Sequence, residues 1–487
     1  MQEDTRPRRI PGHGGTLRWA TAAMAVAATF FAIYGLLAME TAVSILRGVS
    51  SVSLAVVSKL VSHRFTWGGE AGYVDLAQIL SQYYTKSFRM ALHTACGGLV
   101  VLAGSSQFVP ALRRHRPALH RGLGMVVASA MFLSTTGALV YLAGTPMRNI
   151  YSGPTFYIFL VGLAVLALFL LSQAALAIAS RDFRSHMIWM AACFSAYLTA
   201  PILRLDWIVF GTLSPASLPR ANGSGGTFVE VQTLLLMLLW LTFVGDRDLP
   251  ARRPSDDLRR PVGKPWSRPF MVALAVLAAG VALHEGLLAP AGLGWLARLR
   301  DQATVLPREA AAWAAATLVA LWSSVGAWDA WKQGRRPRAS HPIASAISGA
   351  GAIWVGTQVS TASLDGFVYA IFWACIGATQ LAALVLALTI EPNSLGRNAW
   401  GLVGTLVLWL PAATAACVPF LSWFGATQYE AINAGATLAI GALVTIGVAK
   451  GMGAQVRWRP THAASRDSRE GERFPRGGPS QVPSLRD

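Results

Sequence analysis

The chain has 487 residues, of which 54% are hydrophobic and only 13% are charged, and its mean hydropathy is +0.46. This composition excludes a soluble globular domain and predicts an all-α, polytopic membrane protein. The formal net charge of +18 does not indicate a nucleic-acid partner, because the arginines fall in short connections between apolar runs, where they set membrane orientation.

Long apolar runs predict about twelve transmembrane helices, since a membrane-crossing helix needs roughly 20 residues. The predicted spans are 18–39, 88–110, 122–144, 155–180, 186–205, 227–245, 269–289, 309–330, 342–362, 366–390, 400–424 and 430–450. Arginine and lysine concentrate before the first run and in the even-numbered connections, so we expect both termini to be cytoplasmic. Between the first two spans, VDLAQILSQYY fits a surface helix.

A proline-rich and charged segment divides the predicted spans into two six-helix halves. The expected units are an N-terminal membrane domain (1–245), a cytoplasmic linker (246–268), a C-terminal membrane domain (269–450) and a disordered cytoplasmic tail (451–487). RRHRPALHRGLG before the third span resembles GRRPRASHPIAS before the ninth, which aligns His120 with His341. The C-terminal half is therefore interpreted as a decayed repeat of the first.

Three histidines of the first half are candidate metal ligands. His93 lies about one turn inside the second span from the outer face, while His120 and His186 open the third and fifth spans from the cytoplasmic face. Two neutral imidazoles on neighbouring helices are what bis-imidazole ligation of haem iron requires. Gly97 and Gly124 each follow a histidine by one turn, where a missing side chain would admit a flat ring or a close helix. The same pattern also fits histidines that lie among lipid headgroups or bond free backbone N–H groups.

Other polar side chains near the membrane add to the candidate site. Arg204 near the outer end of the fifth span and Glu230 inside the sixth are expected to form an ion pair, with a proton or substrate site as the alternative. Gln107 near the cytoplasmic end of the second span fits an interhelical hydrogen bond. Trp189, one turn after His186, either packs on a macrocycle or marks the membrane interface.

The block from about Leu92 to Asp206 resembles the bacterial membrane proteins grouped as domain of unknown function 2306. The pieces that carry the resemblance are LHTACGGLVVLAGSSQFVPALRRHRPALHRGLG, SRDFRSHMIWM and a later LR. The corresponding residues are His93, Gln107, Phe108, Arg113, Arg114, His120, Arg121, Gly124, His186, Trp189, Met190 and Arg204. That family has no settled activity, so the resemblance implies a multi-pass architecture in the bacterial inner membrane more than a function.

The same motifs are distantly similar to the LH and LH-x-x-LG contexts of the di-haem transmembrane cytochromes b. This similarity implies haem b bound by His93, His120 and His186, electron transfer, and a quinone or a redox protein as partner. An enzymatic role would then be that of a membrane-bound oxidoreductase subunit. Two haems need four histidines, however, and only three occupy suitable positions in the first half.

Two other functions fit the sequence. Twelve helices in two related halves are a common layout of secondary transporters, so a permease for a small solute or a lipid is the main alternative. A membrane assembly factor is the third. No phosphate loop or dinucleotide fingerprint occurs in the sequence, which excludes a nucleotide-driven transporter built from this chain alone.

Overall fold

The fold was obtained as a computed structural model. It describes residues 13–68, 76–150, 152–213, 218–240, 319–324, 326–328, 330–331, 336–358, 364–390, 395–410 and scattered positions from 413 to 452. Every element of regular structure within these residues is a helix. The predicted linker 246–268, the predicted span 269–289 and nearly all of the predicted tail 451–487 lie outside them.

Eleven α-helices occupy the described residues up to Trp240. They are α1 His13–Arg47, α2 Val52–Leu60, α3 His63–Trp67, α4 Leu76–Thr85, α5 Ser87–Gly104, α6 Pro110–His115, α7 Pro117–Ala143, α8 Gly153–Ala179, α9 Phe183–Tyr197, α10 Thr199–Leu213 and α11 Leu218–Trp240. The predicted surface helix is α4. Further along the chain lie α12 Ser340–Gln358, α13 Leu364–Thr389, α14 Leu395–Val407 and a π-helix, Ile440–Ile446.

Four helices of the described residues are long and apolar enough to cross a membrane. They are Ala25–Arg47, Ser87–Phe108, Pro117–Ala143 and Phe156–Ala179. α9 and α10 form a fifth span if they are counted together, although they are bent by 41° at their junction. These spans confirm an all-α, polytopic membrane protein and coincide with the first five predicted runs, but they do not establish twelve spans.

The turn between α8 and α9 fixes the start of α9. Arg181 in this turn has a φ of +56°, in the left-handed region. Asp182 then caps α9, because its Oδ1 accepts a hydrogen bond from the Ser185 backbone N–H at 3.1 Å. His186 is thereby held in the first turn of α9.

α5 packs between α1 and α7, and the approach to α1 depends on glycine. A Cβ built on Gly98 would lie 2.8 Å from the Gly35 carbonyl oxygen and 3.1 Å from the Ala38 Cβ. Glycines pack α13 onto α12 in the same way, at Gly377 and Gly349. Small residues at these contacts let the two backbones approach closely, as is usual for transmembrane helices.

Several helix ends meet on one side of the bundle. The C-terminal ends of α5, α8 and α11 and the N-terminal ends of α7 and α9 lie there, next to α6. We call this side of the bundle the α6 end. α8 contacts α7 and α9, while α11 contacts α8, α9 and α10. The π-helix also packs on α8 and α11, so part of the C-terminal half lies against the N-terminal helices.

Candidate functional site at the α6 end

His93 on α5 is bonded to the backbone of α7. Its Nδ1 lies 3.0 Å from the Ser134 carbonyl oxygen, and Ser134 Oγ donates to the His93 carbonyl at 2.9 Å. Because a carbonyl oxygen only accepts, Nδ1 carries the hydrogen and Nε2 keeps a lone pair. A Cβ built on Gly97 would lie 3.2 Å from Ser134 Oγ. The contact between the helices therefore accounts for Gly97.

His186 on α9 is held in the same manner. Its Nδ1 lies 2.9 Å from the Ala174 carbonyl oxygen of α8. The imidazole is thus fixed with its hydrogen on Nδ1 and with a lone pair on Nε2. This is the arrangement of a metal-binding histidine, whose second nitrogen usually donates to a carbonyl or a carboxylate.

His120, in the first turn of α7, is the third predicted ligand. It lies within electrostatic range of both His186 and Arg113. Among the described residues, its Nδ1 is buried and has no hydrogen-bond partner. His120 and His186 therefore lie at the same end of the bundle, near enough to interact electrostatically, and their joint role as ligands stays a prediction. His93 is remote from this pair, because it lies 14 residues before Gln107 on α5, or about 21 Å at a helical rise of 1.5 Å per residue.

Gln107 lies in the 3₁₀ turn Ser105–Phe108 that extends α5 at the α6 end. Its Oε1 lies 3.0 Å from the position of a Cβ built on Gly124, and its Nε2 is buried without a hydrogen-bond partner. His120 and Gly124 are four residues apart on α7 and share one face, so the Gln107 amide and the His120 ring lie on the same side of that helix. Gly124 therefore makes room for Gln107, and the interhelical hydrogen bond predicted for Gln107 is not formed by its Nε2.

Aromatic rings adjoin these polar groups. Phe108 contacts Phe194 of α9 and Trp240 of α11, with ring centroids 5.3 and 5.1 Å apart. Gly104 admits the Phe194 ring, which a Cβ at that position would strike. Trp240 Nε1 is buried and also lacks a hydrogen-bond partner among the described residues. An apolar wall thus borders three polar atoms for which the described part of the chain provides no partner.

Two other predicted residues lie away from this group. Trp189 is buried, only 9% exposed, and meets the Phe169 ring edge-on at 6.1 Å. Trp189 therefore packs on α8, and its role as a membrane-interface residue or as a macrocycle contact stays a prediction. Arg121 is exposed at the start of α7.

The structure does not bring Arg204 and Glu230 together. The Arg204 guanidinium lies over the Trp207 ring, 3.7 Å from its centroid. Glu230 is only 4% exposed and faces Gly441 of the π-helix. The predicted ion pair is wrong. The Arg204 guanidinium packs on the Trp207 ring one turn along α10, and the Glu230 carboxyl group faces the π-helix.

A bare metal ion and a haem make different demands on the histidine pair. Among the described residues, no three His, Cys, Asp or Glu side chains come together as a metal site. A haem needs only two axial imidazoles, because the porphyrin supplies the other four nitrogens. His186 offers a lone pair on Nε2, and haem ligation by His120 and His186 stays a prediction.

These residues belong to one sequence region. Residues 90–241 match the family described as predicted membrane protein (DUF2306). The DUF2306 region runs from α5 to α11 and covers just under a third of the chain, and it confirms the resemblance drawn from the motifs. No curated protein and no solved structure matches the chain. The similarity to cytochromes b remains a prediction.

At the opposite end of the bundle, Lys86 links α5 to α7. Its Nζ donates to the Gly144 carbonyl and to Thr145 Oγ1 at 2.7 Å. Burial, and then the nearby Arg89 guanidinium, lower the pKa of Lys86. Sequence reasoning missed this contact, because a lysine just before a span is usually a lipid-facing anchor.

Proposed function

We propose that the DUF2306 region binds haem b between His120 and His186 and transfers electrons within the membrane. The supporting observation is that both imidazoles lie at the α6 end within electrostatic range of each other, with the His186 ring fixed by the Ala174 carbonyl. Bound haem would supply reversible one-electron chemistry. Every other contribution comes from the protein side chains around it.

The surrounding residues have separate roles in this proposal. The hydrogen bond from His186 Nδ1 to Ala174 fixes the tautomer and makes Nε2 a better ligand. Phe108 and Trp240 keep water from the site, since their rings form its apolar wall. Gln107 Nε2 and Trp240 Nε1 are unpartnered donors for a polar substituent on the bound group.

His93 is proposed to act on the outer side as a ligand or as a quinone-site residue. Its Nδ1 is held by Ser134, so its Nε2 lone pair can accept a hydrogen bond from a quinol hydroxyl. A histidine in that position can also take up the hydroxyl proton when the quinol is oxidised. The partners in this scheme are the lipid bilayer and a quinone or a redox protein.

We extend the proposal to the membrane layout: twelve spans in two six-helix halves, both termini cytoplasmic, in the bacterial inner membrane. The supporting observation is the charge at the two ends of the bundle. Basic residues crowd the α6 end, namely Arg113, Arg114, Arg116, Arg121, Arg181 and Arg184. The positive-inside rule then places the α6 end in the cytoplasm.

The test is an absorbance spectrum of the full chain, expressed with ample haem supply and purified in mild detergent. We expect a Soret band and a reduced-minus-oxidised difference spectrum of type b. His120→Ala and His186→Ala should each remove or shift these bands. His115→Ala is the matched control, because His115 is exposed on α6 within the same arginine-rich segment, and it should leave them unchanged. Folded wild-type protein without a Soret band would exclude the proposal.

One observation favours the alternative, a proton-coupled carrier. Glu230 is a buried carboxyl inside the membrane domain, which such carriers use. Uptake of a solute that is abolished by Glu230→Gln and unaffected by His120→Ala would support the carrier. An unchanged type b spectrum in Glu230→Gln together with loss of haem in His120→Ala would support electron transfer.

A further inference from the structure

Glu230 is a carboxylic acid buried in the membrane domain. It lies on α11 within the DUF2306 region and is 4% exposed. Neither a hydrogen bond nor an ion pair to its carboxyl group is found among the described residues. Both carboxyl oxygens lie 3.9 Å from the position of a Cβ built on Gly441.

An ionised carboxylate in such surroundings would be costly. Removing an unpaired carboxylate from water costs several kcal/mol even after relaxation, so the group accepts a proton instead. A carboxyl group buried at that cost in a membrane helix indicates a functional role more than a structural one.

The acidic side chain faces an unusual backbone segment. Ile440–Ile446 is a π-helix that packs against both α8 and α11. Single π turns inside α-helices are frequently found at functional sites. A Cβ built on Gly441 would lie 3.0 Å from the Leu166 side chain, so glycine keeps this contact open. The carboxyl group therefore borders a π-helical segment at a glycine.

No ion pair between Glu230 and a neighbouring titratable group is found in the described part of the chain. Several of these groups, on elements that pack against α11, bond another group instead. Tyr157, Tyr197, Cys193, His186, Asp206 and Arg397 bond Leu142, Met131, Ala167, Ala174, Gln232 and Ala387 respectively. Arg204 lies over the Trp207 ring. Glu230 alone would also bind a metal cation poorly, because ions such as Ca²⁺ need several oxygen ligands around them.

We propose that Glu230 is a proton-binding site of the membrane domain, loaded and unloaded as the contact between α11 and the π-helix opens. The reaction is proton transfer alone: the carboxylate takes a proton from water and forms the neutral acid, and the reverse step returns it. No electron moves, so the proposal holds whether or not haem binds to His120 and His186.

Infrared spectroscopy of the full chain tests this directly. We expect wild-type protein to show the C=O stretching band of a protonated carboxylic acid, and the band should shift when H₂O is exchanged for D₂O. Glu230→Gln should lose the band. Asp206→Asn is the matched control, because Asp206 is buried on α10 and bonds Gln232 at 2.9 Å, and it should keep the band assigned to Glu230.

Two results would overturn the proposal. One is a spectrum in which Glu230→Gln leaves the carboxylic-acid region unchanged. The other is a Glu230 band that does not shift in D₂O, which would make the acid a static core residue. If Glu230→Gln does not fold, wild-type protein treated with dicyclohexylcarbodiimide gives the answer by mass spectrometry. An adduct at Glu230 supports the proposal, and labelling confined to other residues refutes it.

Discussion

The contact between α1 and α5 gives the sharpest stability prediction. Gly98→Ala would place a Cβ 2.8 Å from the Gly35 carbonyl oxygen and 3.1 Å from both the Ala38 Cβ and the Met39 Cγ. A distance below 3.0 Å to a backbone atom forces the two helices apart. Overpacking of this kind costs about 1–3 kcal/mol. The higher helix propensity of alanine offsets about 1 kcal/mol, which leaves a net loss of about 1 kcal/mol.

Gly122→Ala is the control for this substitution. Gly122 is an exposed glycine inside α7, and a Cβ built there meets no atom within 4 Å. Alanine should therefore contribute only its helix propensity and stabilise the protein by up to about 1 kcal/mol. The two variants should differ by about 2 kcal/mol in the free energy of unfolding, with opposite signs. Reversible unfolding in mixed detergent and SDS micelles measures both, and equal stability of the two variants would refute the helix contact.

Three further predictions use the same unfolding assay. The pKa of Lys86 is lower in the folded protein, so the unfolded chain keeps this proton to a higher pH. The free energy of unfolding should therefore rise as the pH approaches the ordinary lysine value of about 10.4, and this rise should be smaller in Lys86→Met. Ser134→Ala removes the 2.9 Å hydrogen bond to the His93 carbonyl and should cost about 1 kcal/mol, whereas a stability equal to wild type would contradict that bond. Trp207→Leu removes the ring under Arg204 and should destabilise by about 1–2 kcal/mol more than Trp207→Phe, which keeps a ring.

The positions of the first spans are predictable from the sequence, because bilayer thickness fixes the length of an apolar helix. The predicted run 155–180 is α8, Gly153–Ala179, to within two residues at each end. The bend in the fifth span is the exception. Pro201 near the start of α10 lacks the backbone N–H that would continue the helical hydrogen bonds of α9. This proline was the feature of the sequence that could have predicted the bend.

The site is only partly predictable. Helix-opening positions beside arginines were enough to place His120 and His186 at one end of the bundle. The Ala174 carbonyl that holds His186 carries no sequence signal, since every residue has one and helix rotation decides which carbonyl is reached. The side chain that approaches Gly124 is Gln107, and the sequence did not indicate which neighbour it would be.

Electron paramagnetic resonance of the oxidised, purified protein tests the central claim most directly, because the spin state of ferric haem reports its axial ligands. Haem held by His120 and His186 should give a low-spin signal in wild-type protein and in the His115→Ala control. His186→Ala should convert that signal to high spin or abolish it. Folded wild-type protein with no ferric haem signal, or a low-spin signal that survives in His186→Ala, would contradict the account.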